Sequence, residues 1–409
     1  MRLLYLTAEE WPTFRADVTT LFGKYLPTLG IYSDLVTEAS SIQPSAATST
    51  VWPAGQATVC MVPAQRAMQY IVKFLHQCKV LICSDYAQYD AVQVRDMTVI
   101  ALVALIMCKL KKRPFLYWLS YPQSEGQIQR AKARGMQAGM KYWFPLIQGT
   151  LGKWLLYRWI LPKADHIFVQ SDNMRSALAK YHIPLDKMTP VPMGVDMASV
   201  TTLPVPHNNS VLTNKRVVVY LGTLDKTRQI ELLFNMLARI QLEIPNVILV
   251  LAGDTEDVAH RAWLKQQAEI AKVADAVLWT GWLAMDEAWR YVVSAEVGLS
   301  PFPRGVLLDM ASPTKAVEYM ALGVPVVAND NPDQAQVIAE SGAGVCVPLT
   351  AEAFAQATLN LMNDAASRAR MSALGKTYIA EHRNYQHISA MLAERYHTLI
   401  TTQYGNELS

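Results

Sequence analysis

The chain has 409 residues, of which 51% are hydrophobic and 17% charged, and its formal net charge is +3. That length is too great for one ordinary core and fits two domains facing across a cleft, while the composition excludes a disordered chain. The charge is unevenly spread: Lys109 to Lys163 holds eleven Lys or Arg residues and one acid, Glu125, so this segment carries about +10 and the remainder about −7.

In chain order, short apolar runs alternate with helical periodicity. Strands are expected at 3–7, 33–37, 80–85, 114–121 and 166–170, and helices at 16–29, 67–78, 97–111, 127–137, 141–160 and 173–182. The longest apolar run, Met97 to Cys108, has roughly half the residues a bilayer crossing requires and reads as a buried helix. The N-terminus meets Glu9 and Glu10 soon after a short apolar run, unlike a secretory signal, so a cytoplasmic protein is expected. Five cysteines (Cys60, Cys78, Cys83, Cys108 and Cys346) form no C-x-x-C pair, which favours core thiols over a disulfide framework or a zinc site.

The basic segment is also aromatic. Along 141–163, Trp143, Phe144, Ile147, Trp154, Leu155 and Ile160 lie among Lys153, Arg158 and Lys163. This fits a helix lying in a membrane interface, or a core helix whose cations snorkel outward. Because the charge excess extends beyond the helix, peripheral contact with an anionic membrane surface is the favoured reading. Nucleic acid is disfavoured, since no recognised binding module accompanies the charge.

Residues 197–215 gather Thr, Pro, Asn and Ser without periodicity and mark a linker between an N-terminal domain, 1–196, and a C-terminal domain, 216–385. The second half alternates cleanly, with strands at 216–224, 246–254, 276–283, 295–302, 325–330 and 344–348 and helices at 229–244, 258–273, 285–294, 313–322 and 334–340. Continuous Val and Ile strands separated by helices mean a parallel sheet covered on both faces, so both halves are expected to be Rossmann-like, doubly wound α/β domains. A last helix is expected at 386–402.

The most informative stretch runs from Ser312 to Asp330, SPTKAVEYMALGVPVVAND. Ser312 reads as an N-cap and Pro313 as the first helical residue, in a helix that Gly323 stops. Its free N–H groups and positive dipole end, with Lys315 in the first turn, suit a diphosphate. Glu318, one and a half turns further on, is placed to accept two hydrogen bonds from a ribose diol; the alternative is an ordinary capped helix with a solvated glutamate.

Together with Gly194-Val195-Asp196 before the linker, Gly222-Thr223-Leu224 after a strand and Ala252-Gly253-Asp254 ending the next, this motif resembles the GT-B glycosyltransferases of the large retaining family that uses nucleotide-sugar donors. The resemblance implies two Rossmann-like domains, an acceptor in the first, the donor in the second, and a final helix (386–402) crossing back to the first. It implies that Glu318 holds the donor ribose and that Ser312, Pro313 and Thr314 contact the diphosphate or sugar. Gly222 and Thr223 border the donor, Arg228 neutralises the leaving diphosphate with Lys226 as the nearby alternative, and Trp282 walls the base. A UDP-sugar is favoured, a GDP-sugar next, with no cofactor.

The sequence departs from the family's pattern in three places. A glutamate often found eight positions before the one matched by Glu318 is replaced by Met310, with Asp309 displaced by one residue. The loop after the first strand reads Trp11-Pro12-Thr13-Phe14-Arg15-Ala16-Asp17 instead of carrying two glycines, and Arg15 and Asp17 either contact donor phosphate or acceptor or cap the next helix. Ser120 and Tyr121 stand where many members have a histidine.

No Asp-x-Asp triplet occurs, so leaving-group charge is expected to be stabilised without a metal. The resemblance implies retention of anomeric configuration, and with no secure carboxylate nucleophile at the expected place front-face transfer is the favoured mechanism. The basic aromatic segment favours a lipid-linked acceptor, or a growing polysaccharide, at the inner face of the membrane. Two alternatives are a GT-B sugar-nucleotide epimerase and a non-catalytic sugar-nucleotide-binding scaffold.

Overall fold

The computed structural model describes residues 1–13, 15–39, 51–63, 65–202 and 205–404. Phe14 of the loop after the first strand, and Leu203 and Pro204 of the expected linker, lie outside them. The chain divides into two units: Met1–Pro192 with Tyr385–Ser409, and Met193–Asn384.

The first unit contains seven parallel strands: β1 (Arg2–Trp11), β2 (Tyr32–Ala39), β3 (Ala57–Cys60), β4 (Ala91–Arg95), β5 (Phe115–Leu119), β6 (His166–Val169) and β7 (Met188–Pro190), in the order β3-β2-β1-β4-β5-β6-β7. The second has six parallel strands: β8 (Arg216–Leu221), β9 (Val247–Ala252), β10 (Val277–Trp279), β11 (Val297–Ser300), β12 (Val326–Ala328) and β13 (Gly344–Cys346), in the order β10-β9-β8-β11-β12-β13. Both orders are those of doubly wound sheets. Every residue of β9, VILVLA, is buried, because helices cover both faces of the sheet. The expected linker, 197–215, includes a short helix, Met197–Thr201, which lies in the second unit.

The strands of the first unit differ from the sequence reading, in which β3, β4 and β7 were not expected. Residues 80–85 are not a strand: through Cys83 they complete the Arg66–Cys83 helix, whose apolar tail imitates a short buried strand. The strand beside β1 is instead β4, AVQVR, whose Gln93 and Arg95 are 0% and 1% exposed. No strand is expected there from the sequence, yet each polar residue has a buried partner: Tyr396 donates to Gln93, and Arg95 pairs with Asp17 at 2.7 Å. Cys60 and Cys108 are buried as core thiols, whereas Cys83 and Cys346 are exposed.

The Tyr385–Tyr404 helix belongs to the first unit and places Tyr385, Leu392 and Tyr396 in its core with Phe22, Trp118 and Phe168. The Met140–Leu155 helix is seated differently. It packs on the Gln123–Arg134 helix through glycines, since a Cβ on Gly149 would lie 2.7 Å from Ser124 O and one on Gly152 2.7 Å from Ser124 Oγ.

Candidate functional site

Open parallel sheets bind ligands beyond the C-terminal ends of their strands, where strand order reverses. In the second unit that point lies between β8 and β11. Tyr319, in the Thr314–Ala321 helix, fills it: its hydroxyl accepts from Leu221 N at 2.7 Å and donates to Leu299 O at 3.2 Å. A Cβ on Gly298 would fall 2.5 Å from the Tyr319 ring, so β11 carries glycine where the helix presses closest. Beyond β8, Gly222 (φ +112°) and Gly253 (φ +144°) take backbone conformations that L side chains rarely adopt. A Cβ on Gly253 would lie 2.2 Å from Gly222 O, and one on Gly222 3.3 Å from Cε and Nζ of Lys315.

These constraints collect charge at the helix start. Lys315 is buried, with Nζ 5.1 Å from the centroid of the Tyr220 ring. The guanidinium of Arg228 sits 4.0 Å from the centroid of the Phe302 ring. Asn329 clamps Phe302, accepting from its N at 2.7 Å and donating to its O at 2.8 Å. Burial pulls the Lys315 ammonium down to about 7, and the charge of Arg228 adds to this. Burial pushes the Glu318 carboxyl up to about 7, with Lys315 pulling it back. Both groups are therefore poised near neutrality, and a polyanion bound beside Lys315 would restore its charge.

The turn before the helix is built otherwise than expected. The helix begins at Thr314, Pro313 is its N-cap, and no side chain caps it. Ser312 is not the cap because its hydroxyl is used elsewhere. It donates to Asp333 Oδ2 at 2.7 Å and accepts from Met193 N at 3.0 Å, while Arg383 pairs with Asp333 Oδ1 at 2.7 Å. This buried relay fixes the turn and leaves the first helical N–H groups without side-chain acceptors, the arrangement that suits an anion.

Both halves of the chain match known glycosyltransferase families. Residues 206–378 match glycosyl transferases group 1 and residues 18–199 match glycosyltransferase family 4. The chain belongs to the GT-B glycosyltransferases.

Among solved structures, that of Anabaena Alr3699/HepE in complex with UDP and glucose is 16% identical, with TM-score 0.72, over 97% of this chain and 100% of that one. Sucrose-phosphate synthase from Thermosynechococcus elongatus is 17% identical, with TM-score 0.70, over 98% and 100%. At such identities the likeness is one of fold. An alpha-monoglucosyldiacylglycerol synthase of Streptococcus pneumoniae (strain ATCC BAA-255 / R6) is 25% identical over 198 residues, which span 46% of this chain and only 42% of that protein.

Not every residue singled out in this glycosyltransferase joins the cluster. Lys226 turns aside to pair with Asp257 at 2.9 Å, and Trp282 is 56% exposed. Thr223 offers its carbonyl to the Tyr220 hydroxyl at 2.9 Å. Asp309, beside Met310, is held by Arg304 at 2.8 Å.

In the first unit, Asp17 neither caps a helix nor faces solvent. Burial pushes its carboxyl up, but Arg95 and Arg15 together hold it below the usual range. Arg15 is half-exposed, 3.6 Å from Glu9. Ser120 and Tyr121 donate their backbone N–H groups to Asp96 at 2.8 and 3.3 Å, and the Ser120 hydroxyl does so too. Arg95 and Asp96, absent from the sequence reading, thus organise the point where β1 and β4 diverge. Nothing in the sequence marks them; in the structure Asp96 takes φ +57° directly after β4. Trp143 and Trp154 are exposed, and Lys153, Arg158 and Lys163 surround pockets in the same unit.

Proposed function

We propose that this glycosyltransferase moves a sugar from a nucleotide-diphosphate donor, a UDP-sugar in the first instance, to a lipid-linked or saccharide acceptor at the inner face of an anionic membrane, with retention and without a metal. The observation that carries this reading is the pairing of Arg228 and Lys315 beside an uncapped helix start, with Glu318 one turn further along. Support for UDP comes from the Anabaena protein's complex, and support for a lipid acceptor from the name of the streptococcal relative.

Transfer is accelerated by interactions stronger in the transition state than in the bound donor. As the bond from the anomeric carbon to the diphosphate oxygen breaks, negative charge grows on the diphosphate. Arg228, a protonated Lys315 and the helix N–H groups meet that charge without reorganising. The acceptor oxygen bonds to the anomeric carbon on the face the diphosphate leaves, and its proton passes to a departing phosphate oxygen. Glu318 accepts from the ribose hydroxyls and keeps the nucleotide in register. Arg15, Ser120 and Tyr121 border the acceptor, and Trp143, Lys153, Trp154, Arg158 and Lys163 meet the membrane.

The test is thermal stabilisation by a panel of UDP-, GDP- and ADP-sugars, followed by transfer to a diacylglycerol acceptor in excess chelator. A binder of the native state raises stability by mass action, so a UDP-sugar should raise the melting temperature and turnover should survive EDTA. Absence of any shift across the panel, or activity restored only by magnesium or manganese, overturns the proposal. Donor rearrangement without acceptor would mark an epimerase.

A further inference from the structure

We infer that the first unit carries a discrete site for the phosphate of an anionic lipid headgroup, in the pocket between the Met140–Ile160 helical stretch and the turn at Lys180–His182. The inference rests on the membrane reading above but goes further, because diffuse attraction to a charged surface needs no pocket. The pocket has a volume of about 490 Å³, and its lining includes Lys153, Trp154, Tyr157, Arg158, Lys180 and His182, with no carboxylate. Tyr157 and Tyr181 stack at 4.3 Å, and Lys153 Nζ lies 5.8 and 5.2 Å from their ring centroids. Glu125 steadies Lys153 from 3.7 Å without entering the lining. A second pocket of about 280 Å³ shares Trp154 and Arg158 and adds Trp159 and Lys163, the latter 4.0 Å from the Trp159 centroid.

The surroundings say what kind of phosphate reaches it. Gly149 and Gly152 press one side of the Met140–Leu155 helix against its neighbour. On the opposite side Trp143, Phe144, Ile147, Leu151 and Trp154 are 47%, 61%, 54%, 62% and 56% exposed and follow the helical period. An apolar stripe bordered by tryptophans and cations matches the boundary between acyl chains and headgroups. A second copy of this chain is a poor occupant, since it would bring cation against cation.

The experiment compares the full chain with two double variants, Arg158→Gln/Lys180→Gln and Ile147→Ser/Leu151→Ser, on phosphatidylcholine vesicles with and without phosphatidylglycerol. A parallel titration uses soluble dihexanoyl-phosphatidylglycerol below its micellar concentration, and circular dichroism checks that these exposed substitutions leave the fold intact. The charge variant should lose about 30-fold in affinity for anionic vesicles, roughly fivefold for each cation removed, and should no longer bind the soluble lipid. The apolar variant should lose vesicle binding yet retain saturable binding of the soluble lipid. A charge variant that binds anionic vesicles like the wild type, or a wild type that binds vesicles but not the soluble lipid, overturns the pocket while membrane association stands. A wild type that binds no vesicle overturns the membrane reading itself, and association through the stripe into dimers overturns both.

Discussion

Replacing Lys315 by Met is expected to stabilise the second unit while removing its response to nucleotide sugars. The lysine titrates at about 7 in the fold against 10.5 as a free side chain, so between those values the unfolded chain binds more protons than the folded one. Its charge therefore opposes folding most strongly below pH 7, and that opposition fades as pH rises from 7 toward 10.5. At 1.36 kcal/mol per pH unit, the gap corresponds to about 4 kcal/mol at pH 7. Lost attraction to the Tyr220 ring and to Glu318 offsets part of this, leaving a gain of about 3 kcal/mol, or roughly 6–12 °C in melting temperature. Differential scanning calorimetry of both proteins from pH 6 to pH 10, with and without UDP-glucose, provides the check. The variant should melt higher at pH 7, the difference should close toward pH 10, and only the wild type should gain from the ligand. A variant that melts no higher than the wild type at pH 7, or a difference indifferent to pH, would refute the idea of a desolvated charge held ready for a diphosphate.

Arg383→Ala should cost about 3–5 kcal/mol in the denaturant transition of the second unit, because it leaves Asp333 buried without its cation, and Arg383→Lys should recover part of that. Donor KM should rise as the Ser312 turn loosens; equal stability in all three proteins would dismiss the relay. Glu318→Ala should weaken donor binding about 10- to 100-fold with the fold intact, whereas Arg228→Ala should lower kcat about 100- to 1,000-fold through lost leaving-group stabilisation. Steady-state kinetics separates the two, and unchanged constants in either variant would remove that residue from the site.

The helix start was legible because it is local: Ser312, Lys315 and Glu318 lie within two turns of chain, and a helix start is a property of neighbouring residues. The alternation of Val-rich strands with helices in the second half was legible for the same reason. What escaped depends on partners distant in sequence. Ser312 looks like a cap until Asp333 and Arg383 are brought to it, and Asp17 looks like a ligand or a cap until Arg95 arrives from β4. AVQVR was not assigned as a strand because Gln93 and Arg95 can be buried only with Tyr396 and Asp17 in place. Residues 80–85 were misread since a short apolar run has no period that separates a strand from a helix end. The resemblance ranked Arg228 ahead of Lys226, and in the structure Arg228 lies over the Phe302 ring while Lys226 pairs with the Asp257 carboxylate.

The relay around Ser312 also bears on how the second unit can be cut out and rebuilt. Its members include Met193, the first residue of the unit, and Arg383, its penultimate one. A fragment trimmed to 206–378, the span of the family model, discards both and strands the Ser312 and Asp333 side chains in the interior. A fragment of 193–384 keeps them, and its two ends already meet, with Val195 N donating to Arg383 O at 2.8 Å. Ends that close can be joined by a short peptide and the chain reopened in a surface loop elsewhere. The second unit is thus a natural candidate for circular permutation, or for grafting whole into a loop of another protein.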